Sequence, residues 1–375
     1  MNKVHITLVG GQPAPVYYAI KNTNPDYIVY IYSHRSKKDL EMLKSEISID
    51  SEEILLDPTE PNKIENCALK LAEKYAEDEV TLNITSGLKS WSYWFGVIFE
   101  KKPNATILYV DQNNNIWNYN TKELTQFDID VNAQFRLYGN SIDNNYTDFK
   151  DYTQKDFDVI PEIEDIRNFD HDVFNHLTIL LPNSQKNELR NKKEEGKFVY
   201  ENSDLEWSKK NNKIKISVTK RNGKSRSITL TSEHIFDLVF NSGWFEVKVA
   251  KILSQWKKTK EIYLNCKFPL RAEVDKNEVD IIVNTGVKLL FVECKTQIKS
   301  STDIDKFRSV IKTYGGMASK GLFITESKMS DLHENKCEEH RIKPFSLTND
   351  FLSPEQTIKL LFNMLDTEID IINAR

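Results

Sequence analysis

The sequence lacks most of the short signatures that assign a chain quickly. Its 375 residues hold four cysteines, Cys67, Cys266, Cys294 and Cys337, with no CxxC among them. That excludes a disulfide framework and suits a reducing compartment, so a cytoplasmic location is expected. There is no GxGxxG and no GxxxxGK[ST], and dinucleotide-binding and Walker-type readings lose support. No apolar run approaches the ~20 residues that cross a bilayer. The opening MNKVHITLVGG leads straight into a strand, with no charged-then-apolar leader, so neither a signal peptide nor a membrane partner is expected. Internal repeats and low-complexity segments are also missing.

What is present is a globular composition. Apolar residues make up 39% and charged residues 29%, enough for real cores, and the length predicts two or three domains. The net charge of -5 excludes little, because a local basic patch can still bind nucleic acid. Over residues 1–140 the buried-strand runs HITLV, YIVYIY, EILLD, VTLNI and TILYV alternate with amphipathic helical stretches. This alternation predicts a Rossmann-like, mainly parallel sheet with ligands beyond the carboxyl ends of its strands.

The composition then shifts. Ser141–Asp172 carries ten acidic and three basic residues, and Lys186–Arg226 thirteen basic and six acidic. The first block reads as a linker or connecting layer. The second contains KIKISVTKRNGKSRSITL, two strands around Asn222-Gly223, a strong hairpin signal. Its charges read either as a solvated face or as a basic ribbon for a phosphate backbone. Residues 231–375 read as a second α/β domain with a mixed sheet, leaving 141–230 as the connecting segment and hairpin.

VDIIVNTGVKLLFVECK, Val279 to Lys295, is an apolar hairpin with charge at its open end. Strand alternation puts Glu293 and Lys295 on one face and Cys294 on the other. A turn near Thr285-Gly286 would place Asp280 diagonally across from Glu293. Two half-buried carboxylates repel, and a divalent cation such as Mg²⁺ relieves them. Such an ion activates water and stabilises phosphoryl oxygens, and Lys295 can orient that water or neutralise developing charge. Asp, twelve intervening residues, then Glu-x-Lys resembles the PD-(D/E)xK restriction-endonuclease-like nucleases, with Val-Asp in place of Pro-Asp. The resemblance implies Mn²⁺ or Mg²⁺ held by Asp280, Glu293 and the Cys294 carbonyl. It also implies a further Glu from a preceding helix, a place that Glu246 in GWFEVKVAKIL fits. Glu246, Asp280, Glu293 and Lys295 are thus the expected catalytic residues. Lys306, Arg308 and Tyr314 on the next helix are candidates for lining the site.

Three strand–helix turns of the first domain carry ligand-type residues. VGGQPAPVYY offers Gly10, Gly11 and Gln12, with Pro13 or Pro15 opening a helix whose free N–H groups suit an anion. NITSGLKSW offers Thr85, Ser86, Gly87 and Lys89, and YIYSHRS offers Ser33, His34 and Arg35. The N-x-T-[SG]-G-x-K pattern resembles the CARF domains of type III CRISPR defence. In order, the chain resembles CARF–nuclease fusions, the CRISPR ancillary nucleases. That resemblance implies a homodimer binding a cyclic oligoadenylate, cyclic tetra-adenylate, across its two-fold axis, with Gln12, Thr85, Gly87 and Lys89 at the ligand. It implies activation of metal-dependent cutting of DNA and/or RNA.

Other candidates carry less. His333, Cys337 and His340 lie at helical spacings but show no fourth zinc ligand. Arg167 and His171 are separated by only three residues in an acidic context, unlike a HEPN ribonuclease motif. Cys294 has no histidine placed to activate it as a nucleophile. The alternative from another class is a nucleotide-sensing regulator that binds nucleic acid without cutting it.

Overall fold

A computed structural model describes residues 1–142, 145–180, 194–268, 277–298, 300–316 and 319–371. Lys186, Arg190, Lys192 and Lys193 of the basic block lie outside the described residues. The fold is mixed α/β, with three sheets.

The first sheet is built on five parallel strands, β1 (Lys3–Leu8), β2 (Tyr27–Tyr32), β3 (Ser51–Leu55), β4 (Glu79–Asn83) and β5 (Ala105–Val110). Their order is β3-β2-β1-β4-β5, and β6 (Asn115–Asn118) and β7 (Leu124–Gln126) extend it antiparallel. Apolar side chains on both faces of the central strands demand helices on both sides. On one face lie α1 (Pro13–Thr23) and α2 (Lys37–Glu46), and on the other α3 (Pro61–Lys74) and α4 (Lys89–Phe99). β1 feeds α1 and β4 feeds α4, so the chain leaves these adjacent strands toward opposite faces. That divergence opens a crevice at their carboxyl ends.

The second sheet follows the order β17-β16-β15-β14-β13-β8. It comprises β8 (Thr147–Asp148), β13 (Glu261–Phe268), β14 (Asn277–Asn284), β15 (Leu289–Lys295), β16 (Ser319–Thr325) and β17 (Ile342–Ser346). β13, β14 and β15 are antiparallel neighbours, while β15, β16 and β17 run parallel. One face of this sheet shares a continuous apolar cluster with α1 and α2, bridged by the short helix α5 (Val131–Leu137). Phe135 of α5 makes edge contacts with Phe268 and Phe291 of the second sheet. The other face is covered by α6 (Gln154–Phe169), α7 (His171–Thr178), α8 (Ile235–Val239), α9 (Gly243–Leu253) and the C-terminal helix α12 (Pro354–Asp370). α10 (Thr302–Val310) and α11 (Asp331–Glu339) close the remaining edge.

The acidic stretch is folded. Thr153 and Asp156 form a capping box that starts α6, and α6 buries Val159, Ile160, Ile163 and Ile166. The third sheet is four antiparallel strands in the order β12-β11-β10-β9, comprising β9 (Glu195–Tyr200), β10 (Ser203–Ser208), β11 (Lys213–Thr219) and β12 (Ser225–Thr231). Ile214, Ile216 and Val218 face the apolar cluster that α6 also joins, and the alternate residues face outward. The Asn222-Gly223 turn joins β11 to β12, with Gly223 at φ 83°. The helical run over 232–256 breaks at Ser242, which adopts a left-handed φ of 67° and lets α9 start afresh at Gly243.

Candidate functional site

The β14–β15 hairpin is paired from Asn284–Leu289 up to Ile281–Val292. Continuing that register sets Asp280 directly opposite Glu293, not diagonal to it. The ladder stops there because the Asp280 side chain takes it over: Oδ2 accepts from the Cys294 backbone N–H at 2.7 Å. Lys295 Nζ lies 2.6 Å from Glu293 Oε1 and 3.5 Å from Asp280 Oδ2, an ammonium between two carboxylates. Cys294 turns its side chain into the cluster beneath α6–α9.

α9 packs on β13, β14 and β15 and brings Glu246 to the same end of the hairpin. Burial and then the Asp280 charge hold the Glu246 carboxyl well above the ordinary range. Burial and Asp280 likewise push Glu293 up to about 7, against the pull of Lys295. Burial alone would weaken the Lys295 ammonium, but Asp280 and Glu293 raise it above its usual value. It is therefore charged at every physiological pH. Among the described residues no three His, Cys, Asp or Glu side chains close to metal-binding distance. The donor set nonetheless has the chemistry of a hard cation site: half-buried carboxylates in mutual repulsion, with positive charge already drawn between two of them.

Two residues at the rim carried little signal in the sequence. β16 runs parallel beside β15, with Lys295 opposite Thr325, and the next residue, Glu326, donates its N–H to the Lys295 carbonyl at 3.1 Å. Its carboxylate meets the buried Arg167 of α6 at 2.9 Å, and that guanidinium lies over the Trp244 ring. An acid directly after the strand run GLFIT could have been noticed; its partner, 159 residues upstream, could not. The helix after the hairpin does less than expected. Tyr314 is buried, stacked on Phe268 and hydrogen-bonded by Asn277, so it belongs to the core. Arg308 bonds His340, and Lys306 is exposed. His333 pairs with Ser330, Cys337 is buried and His340 pairs with Asp305, so these three build no shared site.

At the strand ends of the first sheet is a cleft of about 1180 Å³ lined by Gly10, Gly11, Ser33, His34, Arg35, Lys63 and Lys89, among others. The ligand-type residues divide there. Gln12, Thr85 and Ser86 instead line a smaller neighbouring pocket of about 130 Å³ that reaches Gln134 and Tyr138. Ser86 Oγ donates to the Gln12 carbonyl at 2.5 Å, fastening the two loops together. Thr85 Oγ1 donates to Asn83 and accepts from the Val110 N–H. Gly10 is required by the protein itself, since a Cβ there would lie 1.9 Å from the Ser86 carbonyl oxygen. A Cβ on Gly87 would meet Leu8 at 2.6 Å, whereas Gly11 faces open space. Pro13 opens α1 at its first position and is buried.

Elements of the first domain also touch the hairpin at its closed end. The Ile129 N–H donates to the Gly286 carbonyl at 2.8 Å, Asn284 Nδ2 to the Ile129 carbonyl at 3.1 Å, and Asn114 Nδ2 to the Val287 carbonyl at 2.8 Å. On α5's far side, Tyr138 donates to Gln12 Oε1 at 3.0 Å. Its ring covers Gly316, which lies just before β16.

Among curated proteins none matches this chain. Can2 from Sulfobacillus thermosulfidooxidans, solved in complex with cyclic tetra-adenylate, is 17% identical with a TM-score of 0.65, over 98% of this chain and 100% of that one. VC1899 from Vibrio cholerae is 15% identical with a TM-score of 0.69, over 98% of each chain. Residues 4–137 match the family model of the Card1 CARF domain; beyond them, the likeness to these two proteins is one of fold.

Proposed function

We propose that this protein is a nuclease switched on by a cyclic oligoadenylate in type III CRISPR defence. The activator would be cyclic tetra-adenylate, the ligand bound in the Can2 structure. One observation carries the reading most: Asp280 and Glu293 flank the Lys295 amine at a hairpin end, and Glu246 on α9 lies near enough for the Asp280 charge to raise its carboxyl. A domain that only senses nucleotides has no need of three half-buried carboxylates in mutual repulsion.

Asp280, Glu293, Glu246 and the Cys294 carbonyl are the groups that would hold Mn²⁺ or Mg²⁺. Such an ion supplies an activated water and charge stabilisation at a phosphodiester. The chain's own residues do the rest. Asp280 is fixed by the Cys294 N–H, so its second oxygen is preoriented. Lys295 stays protonated, so its task is to neutralise the charge that builds on the phosphoryl oxygens, not to remove a proton from water. Glu326, locked by Arg167, holds the Lys295 backbone in place.

On the sensor side Arg35, Lys63 and Lys89 bring positive charge to a cleft that Asp39 and Asp57 also line, and helix N-termini add N–H donors. Gly11 leaves room for close backbone approach. A ring-shaped activator shared by two copies requires a homodimer; Leu88 in the cleft, and Tyr93 and Tyr119 around a separate hollow, expose apolar surface. The Lys295 bridge also suits the second reading, a regulator that binds nucleic acid without cutting.

The deciding experiment incubates the purified protein with Mn²⁺ or Mg²⁺, plasmid, and single-stranded DNA and RNA, with and without cyclic tetra-adenylate. Activator-dependent cutting by wild type, lost in Glu293→Ala and Lys295→Ala, is the expected result. Intact substrates in every lane would sink the nuclease reading and leave the regulator. Lys89→Ala is expected to weaken activator binding by about 10- to 100-fold, the value of a charge-assisted hydrogen bond. Unchanged calorimetric affinity would remove Lys89 from the site.

A further inference from the structure

We infer that the tip of the β11–β12 hairpin, Lys220, Arg221 and Lys224, grips the phosphate backbone of the nucleic acid that the neighbouring carboxylate site cuts. The inference rests on the nuclease reading above, and adds to it where the substrate is held.

The charges on this third sheet fall into two groups. Some are spent within the protein: Lys197 on Asp204 and Glu206, and Arg226 on Asp165 of α6. Among the described residues, no carboxylate lies within ion-pair distance of Lys220, Arg221 or Lys224. Three cations in five residues are thus left with no counter-charge, Arg221 and Lys224 exposed and Lys220 half-buried. Unneutralised charge clustered on one rigid feature is what a polyanion selects, because each phosphate it takes releases counterions.

The tip is rigid. The Lys220 N–H donates to the Lys224 carbonyl at 2.8 Å, and the Gly223 N–H to the Lys220 carbonyl at 2.9 Å. Asn222 Oδ1 accepts from the Lys224 N–H at 3.1 Å. Holding the cations in fixed places lowers the entropy lost on binding.

The tip is also well placed. Lys220 Nζ sits 4.5 Å over the ring of Phe169, the last residue of α6. Two residues earlier on that helix, Arg167 reaches Glu326 at the carboxylate site. The tip and the rim of the site therefore meet the same C-terminal turn of α6, so a strand running through the site would pass beside the tip. The same sheet supplies a control. Lys210 and Lys213 are exposed and Lys209 is half-buried; all three also lack an acidic partner among the described residues, but they sit at the opposite end of β11. Its seven residues put them roughly 23 Å from the tip.

The test measures binding without cutting: labelled 30-mer DNA and RNA with the full-length protein, in EDTA, with cyclic tetra-adenylate present, at several salt concentrations. Lys220→Ala/Arg221→Ala/Lys224→Ala is expected to weaken binding at least ~10-fold and to flatten the log–log salt slope by about 2 to 3. Lys209→Ala/Lys210→Ala/Lys213→Ala should stay within about twofold of wild type. Arg221→Ala/Lys224→Ala keeps the Lys220–Phe169 contact and should show the greater part of the loss, which separates the grip from any effect on the fold. If tip and control variants lose affinity equally, or the tip variant binds like wild type, the inference is wrong. If wild type binds neither oligonucleotide, the nuclease reading fails as well, a distinct outcome.

Discussion

At the residue scale, Glu293 is the most informative side chain. A carboxyl pushed to about 7 by burial and Asp280 has a sign that can be worked out. Its folded value lies above its unfolded one, so metal-free protein binds more protons folded than unfolded across roughly pH 4.5 to 7, and stability falls as pH rises through that window. Metal binding needs the ionised form. Mn²⁺ affinity is thus expected to climb as pH rises through about 7, and to keep climbing while the Glu246 carboxyl, also held up by burial and Asp280, gives up its proton, with proton release in calorimetry across buffers of different ionisation heat. In Glu293→Gln that proton release should shrink to the Glu246 share; a wild-type profile with none would remove the shift. The paired glycines make a second residue-scale prediction. Gly10→Ala drives a methyl group into the Ser86 carbonyl and should cost ~1–3 kcal/mol in denaturant unfolding. Gly11→Ala meets open space, so it should leave stability unchanged and weaken activator binding instead. Equal stability of the two variants would contradict the geometry.

At the element scale, the legible parts were those whose physics is local. β1 to β5 are buried on both faces and read as continuous apolar runs, and both hairpins announced themselves through Asn-Thr-Gly and Asn-Gly turns. Alternation put Glu293 and Lys295 on one face, and the hairpin turn brought Asp280 to the same end. What escaped was tertiary. α5 has seven residues, too few for a helical period to stand out, yet it bridges two sheets through Phe135. β9 and β10 could not be seen as part of one sheet until they paired with β11. The diagonal placing of Asp280 failed because the turn is centred one residue later, on Gly286-Val287: the Thr285 N–H donates to the Lys288 carbonyl at 3.0 Å, which sets the register. The Gln12–Tyr138 bond joins residues 126 apart and links the pocket beside the sensor cleft to the residue covering Gly316. Tyr138→Phe deletes only that hydroxyl. It should leave activator affinity within a few-fold and lower the activator-dependent gain in cutting, by up to the 5- to 150-fold span of ordinary coupling energies. A variant with the wild-type ratio of activated to basal rate would show that the coupling runs elsewhere.

At the scale of the whole molecule, the two larger sheets are not independent. Their facing layers share one apolar cluster, from Val9 and Tyr18 through Phe135 to Phe268 and Phe323. Residues 1–130 expressed alone would expose that surface and are expected to aggregate or bind hydrophobic dyes. The full chain should show the first and second sheets melting together in one calorimetric transition. Two well-separated transitions for these sheets would show that the cluster is not cooperative.

The β14–β15 hairpin belongs to both sides of this boundary. Its closed end is pinned by Asn114 and Ile129, and its open end carries Asp280, Glu293 and Lys295. The pairs between are buried on both faces, so the ribbon cannot bend to absorb a displacement. Under the proposed function it is a stiff lever: a small tilt imposed at Gly286 reappears, six residues and roughly 20 Å away, as a change in how the two carboxylates face each other. Such a switch needs no flexible joint between sensing and cutting. It needs only that the sensor hold the handle of the blade.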